Sequence, residues 1–208
     1  MYLKICGITT EEDAQLCEMA GADLLGFIFH PESPRYISPE EVSSIRTRDA
    51  KRVGVFVKCP LQEIEDIAEK ASLDLLQLHG AFPREICRDL GPSRVIKVMW
   101  PERYESPSEF LAEVERYIPF CGYLLFDAGK EGGGHGRAIG TRALSYLSLL
   151  PPWVRWILAG GICVENIEEI VSLVRPWGLD VNSCVEEYPG KKDKDRVIAI
   201  SKKIKEMK

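Results

Sequence analysis

Short apolar runs alternate with amphipathic segments from one end of the chain to the other, and this alternation constrains the fold more than any other feature. Eight runs are apolar at successive positions, which is typical of strands that are covered on both faces in a parallel sheet. They predict strands at residues 3–5, 24–27, 53–57, 75–78, 95–99, 123–126, 154–158 and 179–181.

Helical patterns separate these runs, and several carry start signals. Thr10 with Asp13 opens the first helix, and Ser38 is an N-cap followed by a proline and two glutamates. Residues 61–71 carry apolar side chains at helical spacing. Further helices are predicted at residues 84–90, 108–117, 141–149, 164–174 and 193–205.

Eight strand-helix units favour a closed (βα)8 barrel, the TIM barrel of the α/β class. In a chain of 208 residues each unit has about 26 residues, near the lower length limit of this fold. An open doubly wound sheet is the alternative, because periodicity does not separate open from closed parallel sheets. No linker, charge block or low-complexity tract divides the chain, so we expect a single domain over residues 1–208.

The charge balance argues against a polyanionic partner. Lys and Arg number 27 against 32 Asp and Glu, which gives a formal charge of −5 and no overall attraction to nucleic acid or an anionic membrane. Residues 143–154, the longest stretch without a charge, are too few to span a bilayer and contain two prolines. The first residues lack the features of a signal peptide, so we expect a cytoplasmic protein whose partner is a small molecule.

Cysteine and histidine usage predicts no metal centre. The chain has seven cysteines, an odd and scattered set without a Cys-x-x-Cys pair, and three histidines without matching carboxylates. This pattern suggests neither a disulfide framework nor a zinc ribbon, and we expect most cysteines to be small buried hydrophobes.

Polar residues and glycines follow the predicted strands. In a parallel barrel the active site lies at the carboxyl ends of the strands, so these residues are the site candidates. They are Cys6, Gly7, His30, Ser33, Arg35, His79, Gly80, Asp127, Gly160, Gly161, Asn182, Ser183 and Cys184.

Two glycine-containing loops stand out among them. Gly160 and Gly161 lie between a strand and a helix, where bare backbone amides bind phosphate, although a tight turn alone explains two glycines. The glycine-rich residues 129–136 do not match a P-loop. We interpret them as a loop that closes over substrate, or as a surface loop without function.

Cys6 and Asp127 are the candidate reactive groups. A partly exposed thiol at a strand end can act as base or nucleophile, and a carboxyl group across the barrel can act as acid. With a phosphate anchor, this pair suits proton transfers on a sugar phosphate. A cysteine at a strand end is also a common core residue, and His30 and His79 are equally ambiguous.

The same residues carry a resemblance that spans nearly the whole chain. Its motifs are Lys4-Ile5-Cys6-Gly7-Ile8-Thr9, Gly26-Phe27-Ile28-Phe29 with Ser33-Pro34-Arg35, Leu76-Gln77-Leu78-His79-Gly80, Leu158-Ala159-Gly160-Gly161-Ile162, and Asp180-Val181 with the tail Pro189-Gly190-Lys191-Lys192-Asp193. In this order and spacing they resemble the phosphoribosylanthranilate isomerases of tryptophan biosynthesis.

The resemblance implies a (βα)8 barrel that performs an Amadori rearrangement of N-(5-phosphoribosyl)anthranilate without cofactor or metal. Cys6 would be the general base and Asp127 the general acid, which requires a lowered pKa for the thiol and a raised one for the carboxyl group. Arg35 would bind the anthranilate carboxylate. The substrate-binding residues that the resemblance implies are Arg35, His79, Gly160, Gly161, Asp180 and Ser183.

Three departures from the family pattern leave alternatives open. His135 replaces a threonine in the glycine-rich loop, Ala128 replaces a hydroxyl residue after Asp127, and Cys184 replaces a glycine of the phosphate loop. The alternatives are a diverged barrel isomerase that acts on another ribose phosphate and a non-catalytic barrel that binds a phosphorylated metabolite. Either a monomer or a homodimer is compatible with the sequence.

Overall fold

A computed structural model describes residues 1–128 and 139–207 of the chain. Eight parallel strands form a closed barrel in sequence order, so the predicted closure is confirmed and the open sheet is wrong. The strands are β1 Tyr2–Cys6, β2 Leu24–Ile28, β3 Lys51–Phe56, β4 Leu75–Leu78, β5 Val95–Met99, β6 Tyr123–Phe126, β7 Trp156–Leu158 and β8 Gly178–Val181.

Two apolar layers hold the barrel together, one inside it and one between strands and helices. Alternate strand residues point inward, because successive side chains of a strand face opposite sides. The inner layer consists of Leu24, Val53, Leu75, Ile96, Val98, Trp100, Leu125, Ile157 and Ala159. The outer layer is larger and includes Phe27, Phe56, Phe110 and Phe126, all fully buried. Coverage on both faces explains why the strands are apolar at successive positions.

Eight helices surround the barrel in the described part of the chain. They are α1 Glu11–Ala20, α2 Pro39–Ser44, α3 Leu61–Lys70, α4 Arg84–Asp89, α5 Pro107–Tyr117, α6 Thr141–Leu147, α7 Ile167–Val174 and α8 Lys194–Glu206. The Thr10 side chain accepts a hydrogen bond from the Asp13 amide, and Ser38 forms a reciprocal capping box with Glu41, so both predicted helix starts are confirmed. None of the described helices is long and apolar enough to cross a membrane.

Two elements begin two or three residues later than the sequence predicted. Strand β7 begins at Trp156 because the Val154 amide donates to the Pro151 carbonyl and closes a turn there. Helix α7 begins at Ile167 because the Asn166 side chain bonds to the backbone of the preceding loop.

The sequence patterns missed a hairpin of β9 Glu186–Tyr188 and β10 Lys191–Lys192. Runs of three and two residues are too short to show a period. The hairpin packs beside the carboxyl end of the barrel, where Thr9 donates a hydrogen bond to the Gly190 carbonyl at 2.5 Å.

Candidate active site

A cavity of about 710 Å³ opens at the carboxyl ends of the strands. Its size lies in the usual range for small-molecule sites. Every site candidate except Gly7 lines it, including Cys6, Arg35, His79, Asp127, Gly160, Gly161, Asp180 and Ser183. The rule that barrel sites form at strand ends therefore placed these residues together correctly.

The Cys6 thiol is buried, contrary to the sequence expectation of a partly exposed group. Cys6 lies at the end of β1, is 5% exposed, and packs against Gly26 of β2. Burial raises the pKa of the thiol above its usual value, while the ammonium of Lys4 acts in the opposite direction. The expected lowering of this pKa is therefore wrong for the ligand-free site, since the loss of solvent outweighs the nearby cation.

Lys4 and Asp180 form a buried ion pair next to this thiol. The Lys4 ammonium donates to both carboxylate oxygens of Asp180 at 2.9 and 2.8 Å, across the β1–β8 pairing in which these two residues are partners. Burial lowers the pKa of Lys4, but Asp180 and Cys6 raise it by more, so the group stays charged. Because β1 residues two apart face the same side, Lys4 holds a fixed cation beside Cys6.

Asp127 follows β6 on the other side of the cavity. Burial and the negative charge of Asp180 raise the pKa of its carboxyl group from 3.8 to about 7, and the Ala128 amide, 2.9 Å from Oδ1, only partly opposes this. The predicted upward shift is confirmed. A carboxyl group with this pKa holds its proton in part of the population near neutral pH and can donate it.

Arg35 is held at the cavity wall by Glu186 of the hairpin. Its Nε and Nη2 donate to the Glu186 carboxylate at 2.7 to 3.0 Å, and Lys192 Nζ donates to the same carboxylate at 3.0 Å. Burial raises the pKa of Glu186, but these cationic donors outweigh it and hold that pKa below its usual value. Sequence reasoning assigned a role to Arg35 but none to Glu186 or Lys192, although both belong to the tail of the family motif.

The backbone after β7 turns through left-handed conformations. Gly160 has φ +98° and Gly161 has φ +61°. A Cβ on Gly160 would lie 2.7 Å from the Ala128 amide nitrogen, so only glycine fits there. Asn166 braces the loop by accepting from the Cys163 amide and donating to the Gly161 carbonyl, at 2.9 and 2.8 Å. The loop thus presents bare backbone toward the cavity.

A disulfide joins Cys163 to Cys184 and corrects the expectation that no disulfide forms. The bond connects the loop after β7 to the turn after β8, and the two Cα atoms are 5.5 Å apart. No pattern in the sequence predicts this pair, because the chain has five other cysteines and the two loops meet only in the closed barrel. The disulfide connects the two loops that the sequence motifs predict as the phosphate site.

His79 and Gln77 project from the end of β4 into the cavity. The His79 ring packs edge-on against Trp100 with centroids 5.2 Å apart. Gln77 is buried, and its Oε1 has no hydrogen-bond partner among residues 1–128 and 139–207. Gln77 lies in β4 two residues before His79, so its side chain points to the same side, and this spacing is the signal that would have found it.

Two further expectations concern the loop at residues 129–136 and metal binding. The loop, with His135, lies outside the described residues. Within residues 1–128 and 139–207, no three His, Cys, Asp or Glu side chains cluster in a way that would hold a metal ion. The absence of a metal or cofactor in the reaction stays a prediction.

Known proteins resemble this chain along nearly its whole length. A sequence model of N-(5'-phosphoribosyl)anthranilate (PRA) isomerase matches residues 3–203. The chain is 46% identical over 199 residues to the N-(5'-phosphoribosyl)anthranilate isomerase of Maridesulfovibrio salexigens, covering 96% of both proteins. The chain belongs to this isomerase family. It is therefore an isomerase of tryptophan biosynthesis, as the resemblance implied.

Solved structures agree with this assignment to the N-(5'-phosphoribosyl)anthranilate isomerase family. The phosphoribosyl anthranilate isomerase of Thermus thermophilus superposes with a TM-score of 0.86 at 38% identity, with full coverage of both chains. Another such isomerase, at 35% identity and a TM-score of 0.81 over 99% of both chains, was solved in complex with reduced 1-(o-carboxyphenylamino)-1-deoxyribulose 5-phosphate.

Proposed function

We propose that this protein converts N-(5-phosphoribosyl)anthranilate to 1-(2-carboxyphenylamino)-1-deoxyribulose 5-phosphate, with Cys6 as general base and Asp127 as general acid. The observation that carries the proposal is that both groups line one cavity, Cys6 at the end of β1 and Asp127 after β6, beside a glycine turn that suits a phosphate. The complex of the related isomerase with a reduced product analogue supports the substrate class.

In the first step Asp127 donates its proton to the furanose ring oxygen. The bond from C1 to that oxygen breaks, and the nitrogen lone pair forms a protonated Schiff base at C1. The raised pKa of Asp127 keeps a proton on the carboxyl group near neutral pH, which this step requires.

In the second step Cys6 removes the proton from C2. The electrons of the C2–H bond move into a C1–C2 double bond, which neutralises the iminium nitrogen and leaves an enolamine. Tautomerisation of the enolamine to the ketone completes the rearrangement. Lys4 favours the required thiolate, because its ammonium lowers the pKa of Cys6 against the effect of burial.

The other groups that line the cavity orient the substrate by binding its two ends. Arg35 binds the anthranilate carboxylate with its planar guanidinium. Gly160 and Gly161, with Ser183, bind the phosphate through loop backbone, since a net charge of −5 provides no general attraction for anions. His79 and Asp180 complete the wall. The single domain, the cytoplasmic location and the monomer or homodimer stay predictions.

The test compares two thiols of the same chain. Cys6→Ala and Asp127→Asn should each abolish turnover, followed by the change in fluorescence of the aminobenzoate group, while the circular dichroism spectrum stays native. Cys121→Ala is the matched control, because this thiol bonds to the Tyr117 carbonyl and does not line the cavity. Full activity in either site variant would refute the assigned roles.

Substrate identity needs separate experiments. Growth of a tryptophan auxotroph that lacks this step, on expression of the chain, supports the proposed substrate. An Arg35→Ala variant with undiminished turnover would instead indicate a ribose phosphate with a neutral aglycone, and absence of both growth and turnover would indicate a barrel that only binds its ligand.

A further inference from the structure

Glu186 uses only one edge of the Arg35 guanidinium. The contacts run from Nε and Nη2 to the two carboxylate oxygens, at 2.7 to 3.0 Å. A guanidinium has five N–H donors in a planar fork, and this arrangement does not use the hydrogens of Nη1 or the second hydrogen of Nη2. Among residues 1–128 and 139–207, the end of the fork that suits a carboxylate is therefore left for a ligand.

The pairing with Glu186 also creates an electrostatic problem. An arginine and a glutamate together are neutral, so an incoming carboxylate meets no net positive charge and approaches a second carboxylate. Both side chains are buried, at 7% and 5% exposure, and water screens this repulsion poorly.

Lys192 resolves the problem by adding a second cation. Its ammonium is fully buried and donates to Glu186 Oε1 at 3.0 Å and to Asn182 Oδ1 at 3.1 Å. The set of Arg35, Glu186 and Lys192 thus carries two cations and one anion. A substrate carboxylate bound to Arg35 makes this set neutral.

The neighbouring charges are already balanced. Lys4 pairs with Asp180 at 2.8 Å, and Asp13 of α1, which accepts from the Lys192 amide, pairs with Lys191 at 2.8 Å. Lys191 also lies 3.4 Å from Glu12, whose exposed carboxylate is screened by water. Arg196, which donates to the Glu186 carbonyl, pairs with Asp193 at 3.7 Å. None of these groups adds net positive charge to the region. The surplus positive charge near Arg35 therefore comes from Lys192.

We propose that Lys192 is a specificity-determining positioning residue, which keeps the Arg35–Glu186 pair net positive so that the site selects a substrate whose aglycone carries a carboxylate. The inference rests on the proposed function, because it assigns the carboxylate to Arg35. Lys192 acts through Glu186 and does not line the cavity.

Calorimetric titration of the protein with two ligands tests the proposed role of Lys192. The ligands are the reduced product analogue with its carboxyphenylamino group and the same compound with a phenylamino group. Wild-type protein should prefer the first. In Lys192→Met this preference should fall at least tenfold, on the order expected for a unit charge two hydrogen bonds away, while affinity for the second ligand stays within twofold.

Two comparison variants isolate the charge. Lys192→Arg should keep the preference, and so should Lys203→Met, which removes a lysine paired with Glu168 on the outside of the barrel. If Lys192→Met does not fold, the double variant Glu186→Gln with Lys192→Met replaces it. This variant removes one anion and one cation, leaves Arg35 charged, and should keep the preference.

The outcomes separate this inference from the proposed function. An unchanged preference in Lys192→Met, or an equal loss for both ligands, overturns the role of Lys192. Loss of the preference in the double variant overturns the charge argument as well. A wild-type protein that binds neither ligand overturns the proposed function itself.

Discussion

Asp127→Asn should stabilise the protein while it abolishes the reaction. The pKa of this carboxyl group rises from 3.8 to about 7 in the folded chain, chiefly through burial. A group that binds protons more tightly when folded lowers the free energy of unfolding as the pH rises through the window between its two pKa values. A shift of about 3 units corresponds to a loss of about 4 kcal/mol, complete above about pH 7.

The asparagine variant removes this titration and keeps an oxygen for the Ala128 amide. At about pH 5 the ionisation of Asp127 causes only part of this loss of unfolding free energy in the wild-type chain, and at about pH 8 it causes nearly all of the loss. The difference in unfolding free energy between Asp127→Asn and wild type should therefore grow by about 3 kcal/mol between these two conditions. Other groups titrate in both proteins and cancel in the difference.

Urea denaturation at both pH values measures this difference directly. Asp195→Asn is the control, because it removes one acidic group from the exposed first turn of α8, which does not line the cavity. A difference that stays constant between the two pH values would refute the reasoning. It would mean that Asp127 has enough solvent, or enough positive charge nearby, to ionise normally.

Three further results are expected. The value of kcat/KM should fall as the pH rises above about 7, because Asp127 then loses the proton it donates. Cys163→Ser should lower the free energy of unfolding by about 3 kcal/mol in oxidising buffer, since the bond to Cys184 closes a loop with a sequence separation of 21, and dithiothreitol should abolish the difference from wild type. Lys4→Met should cost about 3 to 5 kcal/mol in a urea titration, because it leaves the buried Asp180 carboxylate without its cation.

The barrel was predictable from the sequence because its signal is local. The bounds of β4, β5 and β6 agree with the predicted strands to the residue, since a polar residue, glycine or proline lies within two positions of both ends of each run. Placement of the site follows from the same signal. Once the strands are known, the residues after each strand are known, and the fold brings those ends together.

The rest of the site depends on contacts that no local pattern encodes. Glu186 and Arg35 are far apart in the chain, and their contact exists only because the β9–β10 hairpin packs against the loop after β2. The position of Cys6 depends in the same way on the adjacent strand, where Gly26 leaves room for the thiol. A lowered pKa was expected for this thiol because its implied role as general base requires one, and the sequence did not show that the thiol is buried.

The raised pKa of Cys6 also limits how the proposed reaction starts. The active form needs a thiolate at Cys6 and a proton on Asp127, which together hold the same single proton as a neutral thiol and an ionised carboxylate. Burial disfavours both ionised groups, so the choice between these two forms depends on fixed charges nearby. Asp180 raises the pKa of Asp127 by more than Lys4 lowers it, and Lys4 lowers the pKa of Cys6 by more than Asp180 raises it. Although the Lys4–Asp180 pair has no net charge, its orientation therefore favours the form that the proposed reaction needs at both groups.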